Sequence, residues 1–215
     1  MKTEQLITML QLQDRINTLV DPRWREAGND WSLAIMIECG ELIDHIGWKW
    51  WKKQEMNLPQ AQVELVDIWH FFLSRALEAS ELDVDELAAR LSDEIYQCNR
   101  YGPAPSTVII TNARCVVEYA AKSEVYLCML VRLWQQLSMT NDDLFRMYVG
   151  KAALNLFRQQ HGYKEGTYIK TWLGREDNVW LEEILASGVT DLDTILGRLD
   201  ERYEDVMKIT TRGYV

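Results

Sequence analysis

The chain has 215 residues, 47% of them hydrophobic, with 4 prolines and 11 glycines. That supplies ample apolar material for a core and few interruptions to long helices. A formal net charge of −10 excludes a nucleic-acid binder held by a broad basic surface. It also requires that an anionic substrate be neutralised locally, by metal ions or a few converging cations.

Cys39, Cys98, Cys115 and Cys128 show no CxxC and no ligand-like spacing. They read as buried free thiols in a reducing, cytoplasmic compartment. Glu4 and Gln5 interrupt the start, so no signal peptide is read there. No apolar run nears the ~20 residues of a membrane span. There is no internal repeat, and the expected organisation is one all-α domain over 1–215.

Residues 3–20 have helical period, with Leu6, Met9, Leu10, Ile16 and Val20 on one face. Gln13 and Asn17 fall on that same face. Buried amides need partners: they bridge neighbouring backbone, or they read a polar heterocycle, since an amide offers donor and acceptor together. Asp21-Pro22 ends the helix. Asn29 or Asp30 caps a second helix over about 31–51, which would place Glu38, Glu41, His45 and Trp48 along one face and end in the cations of WKWWKK. After a short loop, Pro59 opens a third helix over 59–79 with Glu64, Asp67 and His70. The short connection makes these two helices antiparallel neighbours.

Glu38/Glu41 and Glu64/Asp67 each have three-residue spacing within apolar runs, AIMIECGELI and VELVDIWHFF. Residues three apart share a helix face. Unpaired buried carboxylates are costly, so four of them on facing helices call for a cation. A hard divalent ion such as Mg²⁺ takes oxygen ligands and keeps water for a substrate phosphate.

Asp83 with Glu86 forms a capping box for a helix to about 99. Tyr101–Ser106 is the clearest break and reads as a loop. Helices follow over about 107–121 and 123–138, where Val108-Ile109-Ile110 is β-branched but opens a stretch of helical period; no convincing strand is found. Thr140 with Asp143 caps a helix over about 141–160, ended by Gly162. On it Lys151, Asn155 and Arg158 form a polar stripe. Such a stripe is usually a solvated face. Here it leads into a glycine-bearing segment with Tyr163 and Lys170, and converging cations could clamp phosphate oxygens. Helices near 177–187 and 191–208 close the chain.

Taken together, WSLAIMIECGELIDHIGWKWWK, VELVDIWHF and YVGKAALNLFRQQHGYKEGTYIKTWLGREDN resemble the dimeric, all-α dUTP diphosphatases, within the helical nucleoside triphosphate pyrophosphohydrolases. The likeness spans Gln13 to Asn178. It implies a multi-helix bundle in which a mobile part, about 80–135, closes on nucleotide, and a homodimer. It implies Mg²⁺, two or three per site with Mn²⁺ able to substitute, held by Glu38, Glu41, Glu64 and Asp67. Gln13, Asn17 and Trp48 match the base pocket. Lys151, Asn155, Arg158, Tyr163, Lys170 and Asn178 match the sugar- and phosphate-contacting block. The implied reaction is hydrolysis of dUTP and dUDP to dUMP, with attack at the β-phosphorus and Glu41 handling the water. It keeps uracil out of DNA and supplies dUMP for thymidylate synthesis. No nucleic-acid or membrane partner is implied.

Three alternatives stand beside this. One is a pyrophosphohydrolase of other nucleotides such as dCTP. Another is a di-iron carboxylate bundle, which usually takes Glu-x-x-His from two helices, whereas this chain has one comparable pair, Asp67-x-x-His70. The third is a non-enzymatic helical interaction protein, against which the apolar flanks of all four acids argue.

Overall fold

A computed structural model of the chain describes residues 1–101 and 108–211. Among them are nine helices: α1 (Thr3–Val20), α2 (Trp31–His45), α3 (Leu58–Glu78), α4 (Val84–Tyr101), α5 (Ile109–Ala120), α6 (Leu127–Gln136), α7 (Asn141–Gln160), α8 (Asp177–Ala186) and α9 (Leu192–Thr211). A hairpin of β1 (Thr171–Trp172) and β2 (Arg175–Glu176) lies between α7 and α8. The expected break at Tyr101–Ser106 lies, from residue 102 on, outside the described residues.

Helix α1 buries Leu6, Met9, Leu10, Leu12, Gln13, Ile16 and Asn17, so both amides face inward. Val20 does not share that burial and is 37% exposed. The helix ends there: Asp21 is extended at φ −149°, ψ 115° ahead of Pro22, and Val20 O accepts a hydrogen bond from Lys164 Nζ.

Asp30 caps α2, its Oδ1 accepting from Leu33 N at 2.9 Å. The helix stops at His45, not near residue 51. Gly47 has φ +73°, a conformation glycine adopts without steric cost, and it turns the chain out of the helix. Trp48 therefore leaves the face of Glu41, and Trp50 and Trp51 project into solvent at 87% and 58% exposure. Asn57 caps α3 by accepting from Gln60 N, and its own N–H donates to His45 O at 2.8 Å. That bond ties the end of α2 to the start of α3. The two helices run back along each other, with the most extensive contact between any two elements here.

Helices α3, α4 and α7 pack on α1; α5 packs on α2, and α6 contacts α3, α4 and α5. At the centre Trp69 stacks on Phe72 at 5.0 Å and meets the edge of Trp134 at 5.6 Å. The capping box foreseen at Thr140/Asp143 is formed in both directions, and at Asp83 the carboxylate accepts from Glu86 N. The C-terminal elements fold back on α7 through an aromatic cluster of Phe157, Tyr168, Trp172 and Tyr203.

Two further expectations need correction. The β1–β2 hairpin pairs Thr171 with Glu176 and Trp172 with Arg175. Its turn residues Leu173 and Gly174 both have positive φ, 50° and 78°, the geometry of a tight two-residue hairpin. With two residues per arm there is no alternation for a sequence pattern to reveal. The cysteines are not all free: Cys98 and Cys128 form a disulfide joining α4 to α6. Cys39 is buried and free, and Cys115 is free and half-buried.

The disulfide closes a separation of 30 residues, which in the chain-entropy account stabilises by about 3–4 kcal/mol. Reduction is therefore expected to lower the melting temperature, and Cys98→Ser/Cys128→Ser to lower it equally without further response to reductant. An unchanged melting curve in reductant would show that the bond contributes nothing.

Candidate active site

The facing sides of α2 and α3 gather the acids. Carboxylate oxygens of Glu38, Glu41 and Glu64 lie within 4.8 Å of one another. Asp67, one turn beyond Glu64, is paired with Lys151 Nζ at 2.9 Å. His45 Nε2 lies 3.4 Å from Glu64 Oε1. Burial first, and then the charges of Asp67 and Glu41, push Glu38 and Glu64 up to about 7. Lys151 offsets this only in part. Such an all-oxygen set, crowded and under-neutralised, fits a hard divalent cation.

This electrostatic frustration has a pH signature. In the folded metal-free chain both glutamates keep protons to about pH 7, whereas an unfolded glutamate releases them near 4.5. Between those values the folded state binds more protons, so stability falls as pH rises and is lowest above about pH 7. With chelator present, the melting temperature is expected to drop across that window, and Mg²⁺ added above it should restore the loss. A flat profile would contradict the crowding of these two groups.

Beside the acids opens a cleft of about 750 Å³, lined by residues of α1, α2, α3, α7 and the two loops 21–30 and 161–170. Ligand pockets typically fall in this size range. Its wall includes Glu38, Asp67, Lys151 and Asn155 as well as Gln13, Asn17 and His70, but not Glu41 or Glu64. A model of the dUTPase family matches residues 5–163. The chain belongs to the all-α dUTPase family. dUTP diphosphatase activity comes with that membership. No curated protein matches the chain.

The family match covers α1 to α7 and contains all four acids, so the cleft belongs to the dUTPase core, while the hairpin, α8 and α9 lie beyond it. Within the enzyme's cleft wall the amides are locked. Burial, and next the charge of Lys151, push His70 down to about 3, so the ring is neutral. Its Nδ1–H donates to Gln13 Oε1 at 2.7 Å, and Tyr148 OH lies 2.9 Å from the same oxygen. Gln13 Nε2 donates to Asn17 Oδ1 at 2.9 Å, and Asn17 Nδ2 donates to Ser74 Oγ at 3.0 Å. Ser74 Oγ donates to His70 O. Tyr148 stacks on His70 at 4.1 Å. Gln13 therefore turns its carbonyl inward, and each amide keeps one N–H uncommitted. His70 Nε2 is buried with no hydrogen-bond partner, as is the indole Nε1–H of Trp24, another residue of the cleft wall.

Arg158 and Tyr163 also line the cleft. The Arg158 side chain is not simply a member of a solvated stripe: Nε and Nη2 each lie 2.8 Å from an oxygen of the buried Asp177. Asn178 sits next to that pair, its Oδ1 3.4 Å from Arg158 Nη2, and lines a smaller neighbouring cavity with Lys151. Lys170 is exposed and pairs with Glu176 at 3.3 Å, outside the cleft wall. Trp48 packs edge-on against Trp51 at 5.2 Å and is likewise outside that wall.

Trp24, Trp31, Phe71 and Lys164 line the cleft without having been singled out. Loop 21–30 carries no periodicity that would aim Trp24 inward. Phe71 and His70 follow the acid motif directly, and the Asp67-x-x-His70 spacing is the signal that places His70 near the acids' face. The ring nitrogen Nδ1 meets the amide of Gln13 and not a carboxylate, unlike the di-iron reading.

Proposed function

We propose that the enzyme hydrolyses dUTP, and dUDP, to dUMP in this cleft in a Mg²⁺-dependent reaction. The observation that carries the reading is a cavity whose wall holds the locked amides together with Glu38, Asp67 and Lys151. Glu38, Glu41, Glu64 and Asp67 would hold the metal, two or three ions of Mg²⁺ or Mn²⁺. The bound ions supply charge neutralisation at the phosphates and an acidified water. Glu41, the exposed member of the cluster, takes the proton of the attacking water on its carboxylate. Lys151 exchanges Asp67 for a phosphate oxygen, and Asn155, Arg158 and Tyr163 line the path of the chain of phosphates.

The uncommitted N–H groups of Gln13 and Asn17 suit the carbonyl oxygens of uracil. The base N3–H then needs an acceptor, and His70 Nε2 is the one left without a partner in this wall. Cytosine inverts both groups at its 3 and 4 positions, presenting a lone pair and an amino group, and would leave buried groups mispaired. A homodimer is part of the same reading: Leu33, Ile37 and Trp50 present apolar surface that a second copy could cover. Among the described residues no helix is long and apolar enough to cross a membrane.

A panel of nucleotides with a product readout tests this directly. dUTP and dUDP should yield dUMP with Mg²⁺, and chelator should abolish turnover. Equal turnover of dCTP and dUTP would overturn the base assignment, and activity unaffected by chelator would overturn the metal.

A further inference from the structure

We propose that Asp177, supported by Tyr168, is the positioning residue for Arg158, so that phosphate capture depends on the segment that follows α7. The inference rests on the reading of the cleft as a nucleotide site.

Asp177 is fully buried at the start of α8, and all its hydrogen bonds converge on one task. Oδ1 takes Arg158 Nη2 and the backbone N–H of Asn178, both at 2.8 Å. Oδ2 takes Arg158 Nε and the phenol of Tyr168, again both at 2.8 Å. Burial and the adjacent Asp177 carboxylate push the Tyr168 phenol up, so it stays a donor. The backbone N–H of Asp177 is itself held by Lys170 O at 3.0 Å. The carboxylate thus has no freedom to rotate.

A guanidinium is a rigid planar fork. With Nε and Nη2 both fixed on Asp177, the plane of Arg158 is set, and Nη1 is the nitrogen the pair leaves for a ligand. Arg158 lines the cleft near Lys151 and Asn155, where the phosphates are placed. A buried ion pair is weak grounds for stability, because desolvation cancels much of the attraction. Fixing one orientation of a cation is what this arrangement does well. An unpaired arginine would have to order its long side chain on binding, and that ordering cost is removed in advance.

Tyr168 and Asp177 lie outside the matched residues 5–163, whereas Arg158 lies inside. Tyr168 is in turn stacked on Tyr203 of α9 at 5.5 Å and packed edge-on to Phe157 of α7. The C-terminal segment is therefore wired to the phosphate end of the cleft through one carboxylate.

The test uses the full-length protein with Mg²⁺ and compares affinities for deoxyuridine and for a non-hydrolysable dUTP analogue. In Asp177→Asn, deoxyuridine affinity should be unchanged. Analogue affinity should fall about tenfold, the scale of one charge-assisted hydrogen bond. Arg158→Ala should give a similar loss, and Asp177→Asn should add nothing in the Arg158→Ala background. Tyr168→Phe, which removes one hydroxyl, should lose analogue affinity in the same direction by less, and it carries the test if Asp177→Asn does not fold. The proposal is overturned if these variants lower the melting temperature while the analogue-to-nucleoside ratio stays at the wild-type value. It is equally overturned if the effect of Asp177→Asn persists without Arg158. Wild-type protein with no preference for the analogue over deoxyuridine would overturn the nucleotide reading itself, a result distinct from either.

Discussion

Replacing Glu38, Glu41 or Glu64 by Gln, or Asp67 by Asn, is expected to cut dUTP turnover by at least about a hundredfold, the scale of losing a group that stabilises transition-state charge. Stability should move differently. Glu38 and Glu64 are held up to about 7 by burial and by their neighbours' charge. Glu64→Gln therefore removes repulsion from the metal-free protein, and its melting temperature in chelator should not fall at pH 8. Asp67→Asn removes repulsion too, but it also breaks the 2.9 Å pair with Lys151, so its melting temperature should lie below that of Glu64→Gln. A common loss of activity without a common loss of stability is the mark of a shared cation site. Near-normal turnover in any two of the four would sink the four-ligand assignment.

Truncating Gln13 or Asn17 to Ala should lower kcat/KM for dUTP and narrow the preference for dUTP over dCTP. The structure adds a second expected consequence. Gln13 Oε1 receives the His70 ring and faces Tyr148 OH, and Gln13 Nε2 holds Asn17. Removing the Gln13 amide takes the partner from the buried His70 Nδ1 at roughly 1–3 kcal/mol, whereas Tyr148 OH keeps Met9 O and Asn17 Oδ1 keeps Ser74 Oγ. In a chain of this size each kcal/mol corresponds to roughly 2–4 °C of melting temperature. Gln13→Ala should therefore be the more destabilising of the two, since Asn17 engages only Gln13 and Ser74. Melting temperature and the dUTP/dCTP ratio measured on the same variants separate the roles. A lower melting temperature with the ratio unchanged in both would assign α1 to scaffolding and remove it from base recognition.

Helix identity was legible wherever local signals agreed. The period of α1, the caps at Asp30, Asp83 and Thr140, and the stop at Gly162 all act within a few residues, so the chain displays them openly. The paired spacing of Glu38/Glu41 and Glu64/Asp67 had the same local character, and α2 and α3 do bring three of those acids together. WKWWKK continues an apolar and cationic helical pattern that by itself would carry α2 on to about residue 51. Gly47 at φ +73° and the bond from Asn57 N to His45 O outweigh that pattern, and the second is a contact that exists only once α3 has docked.

The sequence by itself determined that the chain is helical, where most helices begin and end, and that two of them carry paired acids within apolar runs, because propensity, capping and period are properties of neighbours along the chain. The partners of the polar residues were decided by the tertiary structure alone. Gln13 and His70 are 57 residues apart, and Tyr148 reaches Gln13 across 135. Arg158 looks like one member of an exposed stripe until Asp177 arrives from the start of α8 and claims two of its nitrogens. Cys98 and Cys128 look like separate thiols until α4 and α6 pack together. Hydrogen bonds and disulfides act over a few ångströms, so their pairing follows from which helices the core brings side by side.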